Sequence, residues 1–203
     1  MVEDTLKRKT TIKKQKSSWF WAFWALIGAI LIGIFFLFHV AAQPVDMTDN
    51  KSKIANTDAT FDVSLNKKQV NALVAYYLSD TNASGYTFRV EDSIMMYGSA
   101  KFLGENFKFG MSLKPEITKN GNIILTAQKL AIGNLPLPIP TVMQYVKSSY
   151  NAPKFVKINP KKKQIYVDMT ELPVTQGMSF RAKVIDMKAD NFIFEGGLAN
   201  GSK

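Results

Sequence analysis

The side chains that most often carry out catalysis are scarce in this chain of 203 residues, which has no cysteine and a single histidine, His39. Thiolate chemistry is therefore excluded, and a histidine base has no second imidazole to work with. The paired acids that remain fall at predicted strand ends or turns, where neighbouring side chains point in different directions. We interpret these pairs as solvated surface charge: Glu91 with Asp92, Asp168 with Glu171, and Asp186 with Asp190.

A serine nucleophile has one motif to support it, the Ser64-x-x-Lys67 spacing of a Ser-Lys dyad. The companion motifs of such enzymes and a Gly-x-Ser-x-Gly elbow are missing from the sequence, so we interpret Ser64 as part of a helix start. A phosphate-binding glycine loop and an acidic calcium loop are missing too. The sequence therefore predicts a protein that is not an enzyme and that holds no cofactor and no metal.

The most distinctive segment is apolar: Trp19 to Val40 contains no Asp, Glu, Lys or Arg. As a helix it would be about 33 Å long, which is enough to cross a bilayer once. Six basic residues precede it and predict that the N-terminus is cytoplasmic. We therefore predict a cytoplasmic basic arm at 1–18 and a transmembrane helix at 19–42. A signal peptide cleaved after Ala42 is the alternative. The apolar core of a signal peptide is usually only about 7–15 residues long, which is shorter than this segment.

The remainder is predicted to be a polar tether, 43–60, followed by one extracytoplasmic domain, 61–203. Phe61–Leu65 alternates apolar and polar residues like a strand, and Asn66 can cap a helix that ends near Ser79. Apolar residues at helical spacing give that helix one greasy face: Val70, Leu73, Val74, Tyr77 and Leu78.

The period then changes to two, and strands are predicted over 86–90, 94–103, 107–118, 123–132, 155–158, 164–169, 179–188 and 191–198. Short breaks between the first four of these favour antiparallel pairing. In the third strand Phe107, Phe109 and Met111 share the apolar face. Three alternating prolines predict that 133–140 is extended, and Thr141 is the predicted cap of a short second helix over 142–150. The predicted fold class is α+β, a strongly twisted antiparallel sheet wrapped around the helix at 66–79.

Several of these segments resemble the YpmS-like family of Gram-positive bacteria, which are small proteins with a single membrane span. The resemblance rests on the basic arm and anchor and on three motifs: Phe61 to Asn71, Ile132 to Pro138, and Pro153 to Ile158. The order of elements and the Gly-x-Leu-Pro-Leu-Pro motif are also distantly similar to bacterial relatives of tubular lipid-binding proteins, which implies a twisted sheet around a helix. That similarity of fold does not by itself specify a ligand.

We expect the domain to bind or hand over a lipid or another amphiphile at the cell envelope, because a partly filled apolar groove accepts an alkyl chain. The expected partners are the bilayer and a lipid or lipid-linked ligand, and we expect no nucleic acid. The alternative is a scaffold that docks another envelope protein through the Leu-Pro-Leu-Pro-Ile-Pro edge. The predicted apolar contacts are Val70, Leu73, Val74, Tyr77, Phe107, Phe109, Met111, Leu135, Pro136, Leu137 and Pro138, and the predicted contacts to an anionic headgroup are Lys161, Lys162 and Lys163.

Overall fold

The computed structural model describes residues 18–41, 45–54, 59–79, 85–102, 104–133, 137–174 and 177–199. The chain divides into two compact units, Met1–Pro44 and Val45–Lys203. The described part of the first unit is one helix, α1 (Ser18–Ala41), whose side chains are described from residue 21 to residue 33. Within the described residues, no helix was found to be both long and apolar enough to cross a membrane. The predicted basic arm, except Ser18, and Ala42 lie outside the described residues.

The second unit is α+β, as predicted, but its strands form two antiparallel sheets rather than one. In chain order the elements are β1 (Thr60–Leu65), α2 (Lys67–Ser79), β2 (Tyr86–Val90), β3 (Ile94–Phe102), β4 (Glu105–Ile117), β5 (Ile123–Ile132), α3 (Ile139–Ser149), β6 (Val156–Asn159), β7 (Gln164–Val167), β8 (Met178–Asp186) and β9 (Asn191–Leu198). The larger sheet has the order β2-β3-β4-β5-β7-β6, and the smaller has the order β1-β9-β8.

Helix α2 begins as the sequence predicts, with a reciprocal cap. The backbone N–H of Gln69 donates to Oδ1 of Asn66 at 2.9 Å, and the backbone N–H of Asn66 donates to Oε1 of Gln69 at 2.9 Å. These two bonds satisfy donors that a helix start leaves free. The helix nevertheless lies shallowly on the fold, because its described side chains, from residue 67 to residue 78, are all half-buried or exposed.

Helix α3 is packed far more deeply than α2, which corrects the prediction that the sheet wraps mainly around α2. Val142, Met143 and Val146 are no more than 2% exposed and lie in one core with Phe109 and Met111 of the larger sheet. Helix α3 is thus the one that the larger sheet covers.

The start of α3 also differs from the prediction. The helix begins at Ile139 rather than Val142, and Pro138 occupies the cap position without a side-chain bond, so Thr141 is not the cap. Pro140 fits within the first turn, where its missing N–H would have no helical partner anyway. The stretch predicted to be extended through 140 is therefore already helical at its end.

Residues 45–54, which were predicted as part of the polar tether at 43–60, belong to the folded unit. Oδ1 of Asp49 accepts hydrogen bonds from the Thr118 hydroxyl at 2.7 Å and the Asn122 amide at 2.8 Å, while Oδ2 accepts one from Asn120 at 2.9 Å. Burial acts to raise the pKa of Asp49, but these hydrogen bonds outweigh it and hold the pKa below its ordinary value of 3.8. The structure thus places this polar segment on the domain.

Candidate functional site: an apolar cavity between the two sheets

A cavity of about 240 Å³ lies between α2, the larger sheet and the smaller sheet. Its wall on α2 consists of Val70, Val74, Tyr77 and Leu78, which recur at helical spacing on one face of that helix. The other lining residues come from both sheets and the segments beside them: Phe88, Val90, Ile94, Ile123, Leu125, Tyr150, Pro153, Phe155, Val156, Ile165, Val167, Leu172, Ile185, Phe192 and Phe194.

The strand residues reach the cavity because alternate side chains of a strand share one face. Phe192 and Phe194 of β9 line it from the smaller sheet, and Ile185 of β8 lies beside Phe192 in register. Ile165 and Val167 of β7 line it from the larger sheet in the same way. Two sheets therefore turn apolar faces toward one space, and α2 covers it.

The lining side chains are less buried than the rest of the interior. Fourteen of the nineteen are half-buried, whereas Met111 and Leu113 in the core beneath α3 are fully inaccessible. Close packing is the rule in protein interiors, and a set of apolar side chains left partly accessible around one space departs from it. The space between α2 and the two sheets is therefore an incompletely filled apolar cavity, in contrast to the fully buried side chains of Met111 and Leu113.

One side-chain amide fixes the helical wall of the cavity to a sheet edge. Asn71 of α2 accepts a hydrogen bond from the backbone N–H of Val90 at 2.7 Å and donates one to the carbonyl of Val90 at 3.0 Å. Val90 ends β2, an outer strand of the larger sheet. Asn71 therefore pairs with strand backbone much as a neighbouring strand would, and it sets the distance between α2 and the sheet.

The chemistry of the cavity is that of a hydrocarbon environment. All nineteen lining residues are uncharged, and the hydroxyls of Tyr77 and Tyr150 are their only polar side-chain groups. The ring of Tyr150 packs beside that of Tyr86, with 5.5 Å between centroids. Such a site suits an alkyl chain and disfavours an ionised group, which would lose its hydration there without a compensating partner.

The structure brings together three of the predicted contact residues at this cavity: Val70, Val74 and Tyr77. Leu73 is 47% exposed and is not among the lining residues. Phe109 and Met111 lie in the α3 core instead, because their strand turns that face toward α3.

The other predicted contacts lie elsewhere. Phe107 and Leu137 are half-buried against the α3 core, and Pro138 is exposed. Leu135 and Pro136 fall outside the described residues. The three predicted headgroup contacts, Lys161, Lys162 and Lys163, are exposed in the turn between β6 and β7.

Sequence reasoning missed the strand residues of the lining, above all Phe192 and Phe194. The sequence predicted a strand over 191–198 but not which of its faces is buried, because Phe192, Ile193 and Phe194 are consecutive apolar residues. Which space that face would border depends on pairing with β1, from the other end of the domain, and the local pattern carries no signal for it.

Three of the acids considered for catalysis, Asp168, Glu171 and Asp186, have structural partners. Asp168 accepts hydrogen bonds from Thr170 and caps the 3-10 helix Met169–Glu171, while Glu171 pairs with Lys53. Asp186 accepts two backbone N–H bonds within its own turn. The described residues contain no group of three or more acids or histidines placed to hold a metal ion.

The Ser-Lys motif also divides between different partners. The Ser64 hydroxyl donates to Asn191 at 3.1 Å, and Nζ of Lys67 lies 3.8 Å from a carboxylate oxygen of Asp92. Ser64 is exposed and Lys67 is half-buried, and neither residue lines the cavity.

The fold and the cavity define a small α+β domain with an apolar interior space. Comparison with known protein families assigns the chain to one of them. The model of the family described as "Uncharacterized protein conserved in bacteria (DUF2140)" matches residues 17–198, so the chain belongs to that family. It is 32% identical over 136 residues to "Uncharacterized protein YpmS" of Bacillus subtilis (strain 168), covering 66% of this chain and 73% of the relative. The sequence-based resemblance to the YpmS-like family is thereby confirmed. No solved structure is significantly similar to the chain.

Proposed function

We propose that this protein is a non-enzymatic, membrane-anchored domain on the outer face of the cell membrane that binds the alkyl chain of a lipid or another amphiphile. The observation that carries the proposal is the apolar cavity between α2 and the two sheets. Support for the anchor comes from the uncharged run between Trp19 and Val40 and from the basic residues before it.

The size of the cavity suits part of a hydrocarbon chain. An apolar cavity of about 150 Å³ is large enough to hold benzene, and this one measures about 240 Å³. At about 30 Å³ per water-sized group, it accommodates about eight methylene groups. Their burial would contribute about 6 kcal/mol before the cost of ordering the chain, at about 0.8 kcal/mol per methylene.

The proposal is tested by photo-cross-linking on the full-length chain in phospholipid nanodiscs. A fatty acid that carries a diazirine near its methyl end is added, irradiated, and mapped by mass spectrometry of the digested protein. We expect labels on peptides from α2 and β9 that contain Val74 and Phe194. Labels confined to the apolar run before Val40, with none on the domain, would refute binding in the cavity.

A pair of matched variants separates cavity binding from general adhesion to the helix. Val74→Phe places a ring inside the cavity. Leu73→Phe adds the same ring at the preceding position, where the side chain is 47% exposed and does not line the cavity. The Val74 variant is expected to lose most of the domain labelling, and the Leu73 variant is expected to keep it. Equal labelling of the two variants would contradict the proposal.

A further inference from the structure

The inner face of the smaller sheet continues beyond the cavity. Residues 192, 194 and 196 of β9 share that face because strand side chains alternate, and each has one partner on β1 and one on β8. Each of these β9 residues and its two partners form a row across the sheet. The rows of Phe192 and Phe194 reach the cavity. The third row consists of Phe61, Gly196 and Phe180 and lies one step, about 7 Å, farther along the strands.

In this third row two aromatic rings cover a glycine. The rings of Phe61 and Phe180 meet edge to face with 6.0 Å between centroids. A Cβ added to Gly196 would lie 2.6 Å from Phe61 and 2.8 Å from Phe180, so the rings occupy the place that a side chain would take. Phe61 is still 45% exposed. We call Phe61, Gly196 and Phe180 the aromatic shelf.

The opposite face of the same sheet carries two pairs of charged residues. Arg181 donates to Glu195 from Nε at 3.0 Å and from Nη2 at 2.8 Å, and Lys183 pairs with Asp62 at 2.9 Å. Glu195 is only 7% exposed, so its partners are needed to compensate its charge. The rows of Phe192, Phe194 and Gly196 contain no charged residue, so the inner face is the one that favours an alkyl chain.

From this geometry we infer that the aromatic shelf is the place where the bound chain leaves the cavity, and that the ligands are single-chain amphiphiles with a chain longer than about eight carbons. This inference rests on the proposed function. The methyl end fills the cavity, the next methylenes lie across Phe61 and Phe180, and the polar end remains in water beyond the shelf. Shorter chains fill the cavity without reaching the rings.

Two photoreactive probes test this inference on the full-length chain in phospholipid nanodiscs. Both are 14-carbon fatty acids, one with the diazirine near the methyl end and one with it near the carboxyl end. We expect the first to label the cavity peptides and the second to label the peptides that contain Phe61 and Phe180. Cavity labelling by the first probe combined with labelling of β2 by the second would overturn the shelf while leaving the proposed function intact. Failure of both probes to label the domain would instead refute the proposed function.

A variant pair tests the contribution of the shelf to binding. Phe61→Ala removes an exposed ring and is expected to lower labelling by the carboxyl-end probe about fivefold, because the chain loses an aromatic contact. An 8-carbon probe is expected to label wild type and this variant equally. Leu73→Ala is the control, since Leu73 is 47% exposed against 45% for Phe61 but lies outside the cavity lining. Equal losses for the 8-carbon and 14-carbon probes would contradict the inference.

Discussion

Filling the cavity from within by Val74→Phe is the most direct test that this space is empty. Val74 lies on the α2 wall, and valine and phenylalanine have similar helix propensities, so the change acts mainly through packing. The extra ring atoms would enter existing space and bury apolar surface, which stabilises the fold by about 1 kcal/mol. For a folded unit of this size, we expect the melting temperature to rise by about 2–4 °C.

The same substitution has the opposite effect if the region is already filled. Overpacking a tight core typically costs about 1–3 kcal/mol, so the melting temperature would fall. Pulse proteolysis of the full-length chain in nanodiscs, at increasing temperature, measures the difference without added ligand. Leu73→Phe is the control and is expected to change stability by no more than about 0.5 kcal/mol. A fall in the melting temperature of the Val74 variant would refute the cavity.

Three further predictions concern the packed side of the domain and the segment docked on it. Asn122→Ala is expected to cost about 3 kcal/mol in urea unfolding, because Asn122 is fully buried, donates to Asp49 at 2.8 Å and accepts from the backbone N–H of Met169 at 2.9 Å. Met143→Ala is expected to cost about 2–5 kcal/mol, since Met143 is 2% exposed in the α3 core; a loss below about 1 kcal/mol would contradict that packing. Asp49→Asn is expected to make the free energy of unfolding fall less steeply as the pH is lowered into the acid range. The pKa of Asp49 is lower in the folded chain than the ordinary 3.8, so its stabilising contribution is present above pH 3.8 and disappears as the pH falls through the folded value. An unchanged acid slope in that variant would show that Asp49 is not responsible.

Local patterns predicted most of the elements of the domain. The alternation in Phe107 to Leu113 predicted the buried face of β4, and Asn66 caps α2 as expected, with Gln69 adding a reciprocal bond. These features depend on neighbours in sequence. They can therefore be predicted without knowledge of the rest of the fold.

The errors arose where distant residues decide the outcome. The pairing of β1 with β9 joins the two ends of the domain and creates the second sheet, and no local period reveals it. Asp49 and Asn50 look like solvated tether residues, yet each finds partners in distant turns and strands. Polar composition alone does not distinguish a side chain satisfied by water from one satisfied by the protein.

The pairing of β1 with β9 also has a consequence for biosynthesis. Leu65 opposes Phe192 and Phe61 opposes Gly196, so the first strand of the domain to leave the ribosome pairs with the last. Contacts so far apart in sequence form late and slow folding. Until β9 is synthesised, β1 has no neighbour in its sheet and Phe61 lacks Gly196, the glycine that its ring covers. A nascent chain truncated before β9 would therefore expose apolar strand surface to chaperones, because the cavity lacks the wall formed by Phe192 and Phe194 until β9 is made.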